Sequence, residues 1–157
     1  MLLRRAVPTL LASLLVFSPV HAEDQRFEIV DGGNAVVDQQ TQLTWSRCLV
    51  GMTWNGSTCE GEAQLIDLRS ALARWPGSGE WRVPSFDELM GITRQYQVPP
   101  IDLDAFPNTP PIGVWTSSAY ARTEDRAQYI SYANGVEYFD YRSEKHAIRL
   151  VRNQRAP

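Results

Sequence analysis

The spacing of hydrophobic positions changes along the chain, and each change marks a different element. Phe27-Glu28-Ile29-Val30, Asn34-Ala35-Val36-Val37-Asp38 and Leu43-Thr44-Trp45-Ser46-Arg47-Cys48 are short apolar or β-branched runs, set apart by Asp31-Gly32-Gly33 and Gln39-Gln40-Thr41-Gln42. Such runs between turn-forming residues predict two or three strands. From Glu62 the period lengthens. Leu65, Leu68, Leu72 and Trp75 fall on one helical stripe that Pro76-Gly77 ends, which predicts a first amphipathic helix.

Glu80-Trp81-Arg82-Val83 reads as a short strand with Trp81 largely buried, and Pro84 leads out of it. Ser85 and Glu88 have the spacing of a capping box, so a second helix is expected from Phe86, burying Phe86, Leu89, Met90 and Ile92 and fading near Tyr96. The proline-rich stretch 99–113 carries Ile101, Leu103 and Phe106, apolar anchors that a flexible linker rarely holds, and predicts an ordered irregular excursion. Val114 to Ser118 reads as a strand. Residues 127–142 read as a hairpin turning at Asn134-Gly135 in a type I′ turn, and His146 to Arg152 as a last strand.

Three features bound what such a domain can do. Residues 1–22 carry Arg4 and Arg5, an apolar stretch from Ala6 to Phe17 and a Pro19 break before Ala22, the pattern of a cleavable export signal. That stretch, interrupted by Pro8 and Ser13, falls short of the ~20 residues of a membrane span. Residues 23–157 are then read as a single domain without a span, placed in the periplasm or secreted. Losing residues 1–22 leaves 13 basic against 18 acidic residues, a net charge of −5, which disfavours nucleic-acid binding. In an oxidising compartment Cys48 and Cys59 are expected to form a disulfide; zinc is the alternative, but two thiols with no nearby histidine make a poor four-ligand site.

Val36 to Cys48, the Cys48–Cys59 loop, Trp81-Arg82-Val83-Pro84-Ser85, Ile101 to Pro110, Val114 to Ser118 and Ile148 to Arg152 come in the order shown by the domain at the C-terminus of the bacterial collagen-like adhesin Lcl, which the chain resembles. The resemblance implies an α+β, C-type-lectin-like fold: a small twisted antiparallel sheet, two helices and long loops. It implies a non-enzymatic role in recognition or adhesion outside the cytoplasm, toward a glycan or an envelope protein, and casts Trp81, Arg82, Pro84, Trp115 and Arg152 as scaffold. Gln42 stands where the family's turn has glycine, so a left-handed backbone there costs about 1 kcal/mol. A small structural or inhibitory subunit of an envelope or secretion assembly is the second reading, and the oligomeric state stays open.

Candidate chemistry is sparse. His146, the one histidine beyond residue 22, could serve Ser143 or Ser117 as a base, but a lone histidine entering a strand is more often structural. Asp102 and Asp104 could contribute oxygen ligands to calcium, but the sugar-binding tripeptides of true C-type lectins are missing, so no metal and no cofactor is expected. The expected ligand surface is the set Tyr120, Arg122, Arg126, Tyr138 and Tyr141, aromatic and guanidinium groups that suit sugar rings and acidic groups. Alternation in the hairpin puts Tyr138 and Asp140 on one face and Phe139 and Tyr141 on the other.

Overall fold

Eleven short strands, two short α-helices and a 3-10 turn at Asp31–Gly33, joined by loops, order the residues described by the computed structural model, 25–77 and 80–154. In chain order they are β1 (Phe27–Val30), β2 (Ala35–Asp38), β3 (Leu43–Ser46), β4 (Thr53–Trp54), β5 (Cys59–Glu60), β6 (Ile66–Asp67), α1 (Leu68–Arg74), α2 (Phe86–Gly91), β7 (Gly113–Ala119), β8 (Arg126–Ser131), β9 (Val136–Tyr141), β10 (Lys145–His146) and β11 (Val151–Asn153). The fold is α+β, with antiparallel sheets. Strands β1-β2-β3-β11 form one sheet and β7-β8-β9 another, while β6 with β10 and β4 with β5 make two-stranded ribbons. The single small sheet expected from the sequence is thus two sheets and two ribbons. The export signal expected over residues 1–22 lies outside the described residues.

Both faces of the β7-β8-β9 sheet contribute to the core. Val114 and Ile130 enter one apolar cluster with Trp45, Leu89 and Phe106, while Trp115 and Ala127 enter a second with Leu68, Val83 and Ile148. The Cys48–Cys59 disulfide forms, with its Cα atoms 5.5 Å apart. Ile101 and Phe106 are buried in the first cluster as expected, but Leu103 is 43% exposed and anchors nothing.

Several expectations give way to tertiary contacts. The first helix begins at Leu68 rather than near Glu62, because Asp67 caps it, accepting from the Ser70 N–H at 2.9 Å, and because Ile66-Asp67 pair with β10. Leu65 is therefore half exposed. The second helix has the expected capping box: Ser85 Oγ accepts from the Glu88 N–H, and Glu88 Oε2 accepts from the Ser85 N–H at 2.7 Å. It stops at Gly91, not near Tyr96, and the Thr93 hydroxyl closes its end by donating to the Leu89 carbonyl at 2.7 Å. Only Arg82 of the expected strand around Trp81 pairs, with Pro76 and Val151. Trp81 lies beside that bridge, half-buried, under the Arg152 guanidinium at 4.5 Å from its ring.

The hairpin turn differs for a specific reason. Tyr132 is drawn into the core with its N–H given to the Ile112 carbonyl at 2.9 Å on the β7 side, and the Ser131 carbonyl takes the Gly135 N–H at 2.7 Å, closing the turn directly after β8. The loop becomes four residues, 132–135, between the paired Ser131 and Val136, and of Asn134 and Gly135 only Gly135 has positive φ, at 72°. The final strand is also divided. Residues 145–146 pair with β6, Ala147 bridges Val114, Ile148 accepts from the Val50 N–H, and only 151–153 join β3. This one extended segment therefore joins the two main sheets.

Two stability changes are expected. Gln42 has φ of 59°, so Gln42→Gly removes left-handed strain and should raise stability by about 0.5–1 kcal/mol, measured by thermal unfolding. Asp38 is fully buried and pairs with Arg26 at 2.7 Å. Burial opposes its ionisation, but hydrogen bonds from Arg26, the Gln40 N–H and Thr41 together hold its carboxyl below the usual range. The pair's contribution is therefore complete above the unfolded aspartate value of about 4 and is lost as pH falls through the lower folded value. Asp38→Asn should cost roughly 2 kcal/mol at neutral pH and flatten the acid limb of a stability–pH curve.

Candidate functional site

The end of the β7-β8-β9 sheet is shaped by an irregularity in β7. Pairing with β8 is regular from Gly113 to Trp115, then shifts so that Ala119 faces Ala127. Inside the shift, Thr116 donates its hydroxyl to the Gln128 carbonyl at 2.9 Å, the Ser117 N–H donates to the Pro84 carbonyl at 2.7 Å, and Ser118 Oγ accepts from the Phe86 N–H at 3.0 Å. The irregularity thus receives the start of α2. Beyond it the chain leaves the sheet through Tyr120 and the exposed loop 121–125 before returning as β8.

The structure brings three of the five expected ligand residues onto one face. Arg126 and Tyr141 are directly opposite in the ladder; the guanidinium lies 4.5 Å from the Tyr141 ring centre and donates to its hydroxyl at 3.0 Å. Tyr120 packs against Phe139 with ring centres 4.1 Å apart, and Phe139 shares the face of Tyr141. Phe139 and Tyr141 are 41% and 45% exposed, so this end of the face is open while Ile130, further along it, is buried. Arg122 stands in the adjoining loop and lines, with Tyr120, Glu124 and Arg142, an open hollow of about 700 Å³. A smaller one of about 280 Å³, between Arg69 and Tyr141, shares Glu124 and Arg142 with it. Four arginines of a net acidic protein therefore gather around this end.

Tyr138 belongs elsewhere. It points to the opposite face, stacked on Tyr129 at 5.7 Å, and its hydroxyl accepts from Asn134 Nδ2 at 3.0 Å. Tyr129 in turn stacks on the His146 imidazole at 4.0 Å, and the Trp115 ring meets both edge-on. His146 Nε2 lies 3.0 Å from Asp140 Oδ2, and among the described residues neither Ser117 nor Ser143 bonds to it. The histidine has a carboxylate partner and an aromatic bed, with no hydroxyl to activate.

Asp102 is also committed. Its Oδ1 accepts from the N–H groups of Asp104 and Ala105, and Oδ2 pairs with Arg94 at 2.7 Å. Asp102 thus closes a turn on one side and forms an ion pair on the other. Among the described residues no group of three or more acidic, histidine or cysteine side chains could hold a metal.

Two buried residues that hold the framework went unread in the sequence. Arg149 is fully buried and donates to the carbonyls of Ser46 and Arg47 at 2.8 and 2.7 Å and to the Thr109 hydroxyl at 2.8 Å. Arg47 donates to the carbonyls of Ala105, Gly33 and Asp104. Neither pairs with a carboxylate, which is the cue a charge-pattern reading follows; the signal was only that each arginine interrupts an apolar run.

The family model described as the Lcl C-terminal domain matches residues 34–152. No curated protein and no solved structure matches the chain.

Proposed function

The chain belongs to the Lcl C-terminal domain family, and from that premise we propose that it is an exported recognition domain without catalytic activity, binding a glycan or an envelope protein through the Tyr120–Arg126–Tyr141 face. The family is adhesin-associated and is not a known enzyme family, in keeping with a role in cell-surface recognition. The C-type-lectin-like architecture and the action outside the cytoplasm belong to this reading, supported by the apolar leader of residues 1–22 and the disulfide.

The observation that carries the site is the Arg126–Tyr141 contact beside the Tyr120–Phe139 pair. A guanidinium laid on a ring is already ordered, so little rotamer freedom is lost when it meets an acidic or hydroxyl group. The open flat rings next to it offer apolar area for the C–H face of a sugar or for a side chain, and arginine and tyrosine supply hydrogen bonds along with that area. Arg122 and Arg142 extend the surface into the adjoining hollow.

Glycan-array and pull-down measurements on the purified protein identify the ligand, and silence in both overturns the proposal. Against the ligand so found, Arg122→Ala/Arg126→Ala should bind at least about ten-fold more weakly with little change in melting temperature, because both guanidiniums stand at the surface. Tyr138→Ala, across the sheet, should keep the affinity while losing stability through the broken stack on Tyr129. Adding a chelator should leave binding unchanged, since Asp102 is already engaged by Arg94.

A further inference from the structure

Strand β1 is an edge of the four-stranded sheet, and its ladder shows which backbone groups it leaves open. The Gln39 N–H donates to the Arg26 carbonyl, and the register pairs Phe27 with Asp38 and Ile29 with Val36. Arg26, Glu28 and Val30 are thus the residues that exchange bonds with β2, and the N–H and C=O groups of Phe27 and Ile29 point the other way. The β2–β3 ladder has the complementary phase, with the Arg47 N–H donating to the Asn34 carbonyl. No other described residue bonds the outward groups of Phe27 and Ile29.

A groove of about 910 Å³ runs beside this edge. Gln25 to Ile29 line it consecutively, residues of both parities, as happens when a hollow follows the edge of a strand rather than one face. Its far wall comes from Thr93, Arg94, Asp102 and Asp104. Ile29 is 56% exposed in it. The charges are unequal: Arg26 is neutralised by Asp38 and Arg94 by Asp102, while the carboxylates of Glu28 and Asp104 have no cationic partner among the described residues.

We infer that the open edge of β1 is a second binding surface, which takes an extended segment of a partner protein as an added strand. The pleat sets the chemistry of that segment. Residues paired with Phe27 and Ile29 share their face and should be apolar, whereas those between them fall beside Glu28 and should be basic. A second copy of the chain is a poor occupant, because the register that uses Phe27 and Ile29 of both strands sets Glu28 directly opposite Glu28. This surface involves none of the residues of the Tyr120–Arg126–Tyr141 face, so each can fail alone.

The test uses a fluorescein-labelled peptide of sequence Lys-Val-Lys-Val-Lys, followed by anisotropy with the purified protein. It should bind, while Glu-Val-Glu-Val-Glu and the Lys peptide N-methylated at both valines should bind at least about ten-fold more weakly, the first through charge and the second through lost main-chain bonds. Ile29→Pro removes an outward N–H without touching the β1–β2 ladder, a place where an edge strand tolerates proline, and should abolish binding with the fold kept. Should that variant fail to fold, the N-methyl comparison on the unaltered protein decides alone. Absence of binding, equal binding of the Lys, Glu and N-methylated peptides, or a dimer that Ile29→Pro dissociates would each overturn the inference.

Discussion

Two buried guanidiniums hold the backbone of this protein together. Irregular chain running through an interior carries carbonyl groups that no ladder satisfies, and each one left unpaired costs free energy comparable to a lost hydrogen bond. Arg149 supplies donors to Ser46, Arg47 and Thr109, and Arg47 passes the same service on to Gly33, Asp104 and Ala105. The final extended segment, β3 and the proline-rich excursion are linked through this relay. Aromatic faces cover the charges in place of carboxylates: the Phe106 ring lies 4.6 Å from the Arg149 guanidinium and the Trp54 ring 4.4 Å from that of Arg47. The five fixed donors of arginine make such an arrangement feasible, where the single ammonium of lysine could reach fewer carbonyls.

The relay matters to recognition because it makes the loops part of the framework. The excursion over 99–113 packs Ile101 and Phe106 into the same cluster that receives Val114 and Ile130 of the second sheet. With that cluster filled, the sheet is buried around Val114 and Ile130, and its far end, with Tyr120, Phe139 and Tyr141, is left open on that face. A surface on rigid strands loses less freedom on binding than one on mobile loops. The same division explains the fate of Tyr138: on the other face, the space is taken by Tyr129, His146 and Trp115.

Much of this was legible in the chain, and for local reasons. A capping box is decided by four consecutive residues, so Ser85 and Glu88 announced the start of α2, and Arg82 adds an ion pair at 2.6 Å that helps hold the Glu88 carboxyl below its usual range. Turn-bounded β-branched runs announced β1, β2 and β3. Cysteine spacing announced the disulfide, and motif order announced the family. The alternation that separates Tyr138 from Tyr141 was also readable, because it depends only on the pleat.

What tertiary structure decided was every outcome in which a distant segment competed for a backbone or a side chain. Residues 62–75 carry a helical stripe, but β10 captured Ile66-Asp67, a contact across nearly eighty residues of chain, and shortened the helix. Asn134-Gly135 is a strong local hairpin signal, overridden where Tyr132 is buried in the core and the Asn134 carbonyl takes the Tyr96 N–H at 3.0 Å. Arg149 and Arg47 read as ordinary charges, since nothing near them in sequence shows which carbonyls will need donors. The sequence by itself determined the strands, the second helix, the staple and the family, because those follow from short-range periodicity and order. The assembly of the open aromatic and arginine face, and the burial of two cations without counter-charges, depended on which long-range hydrogen bonds the packed chain could satisfy.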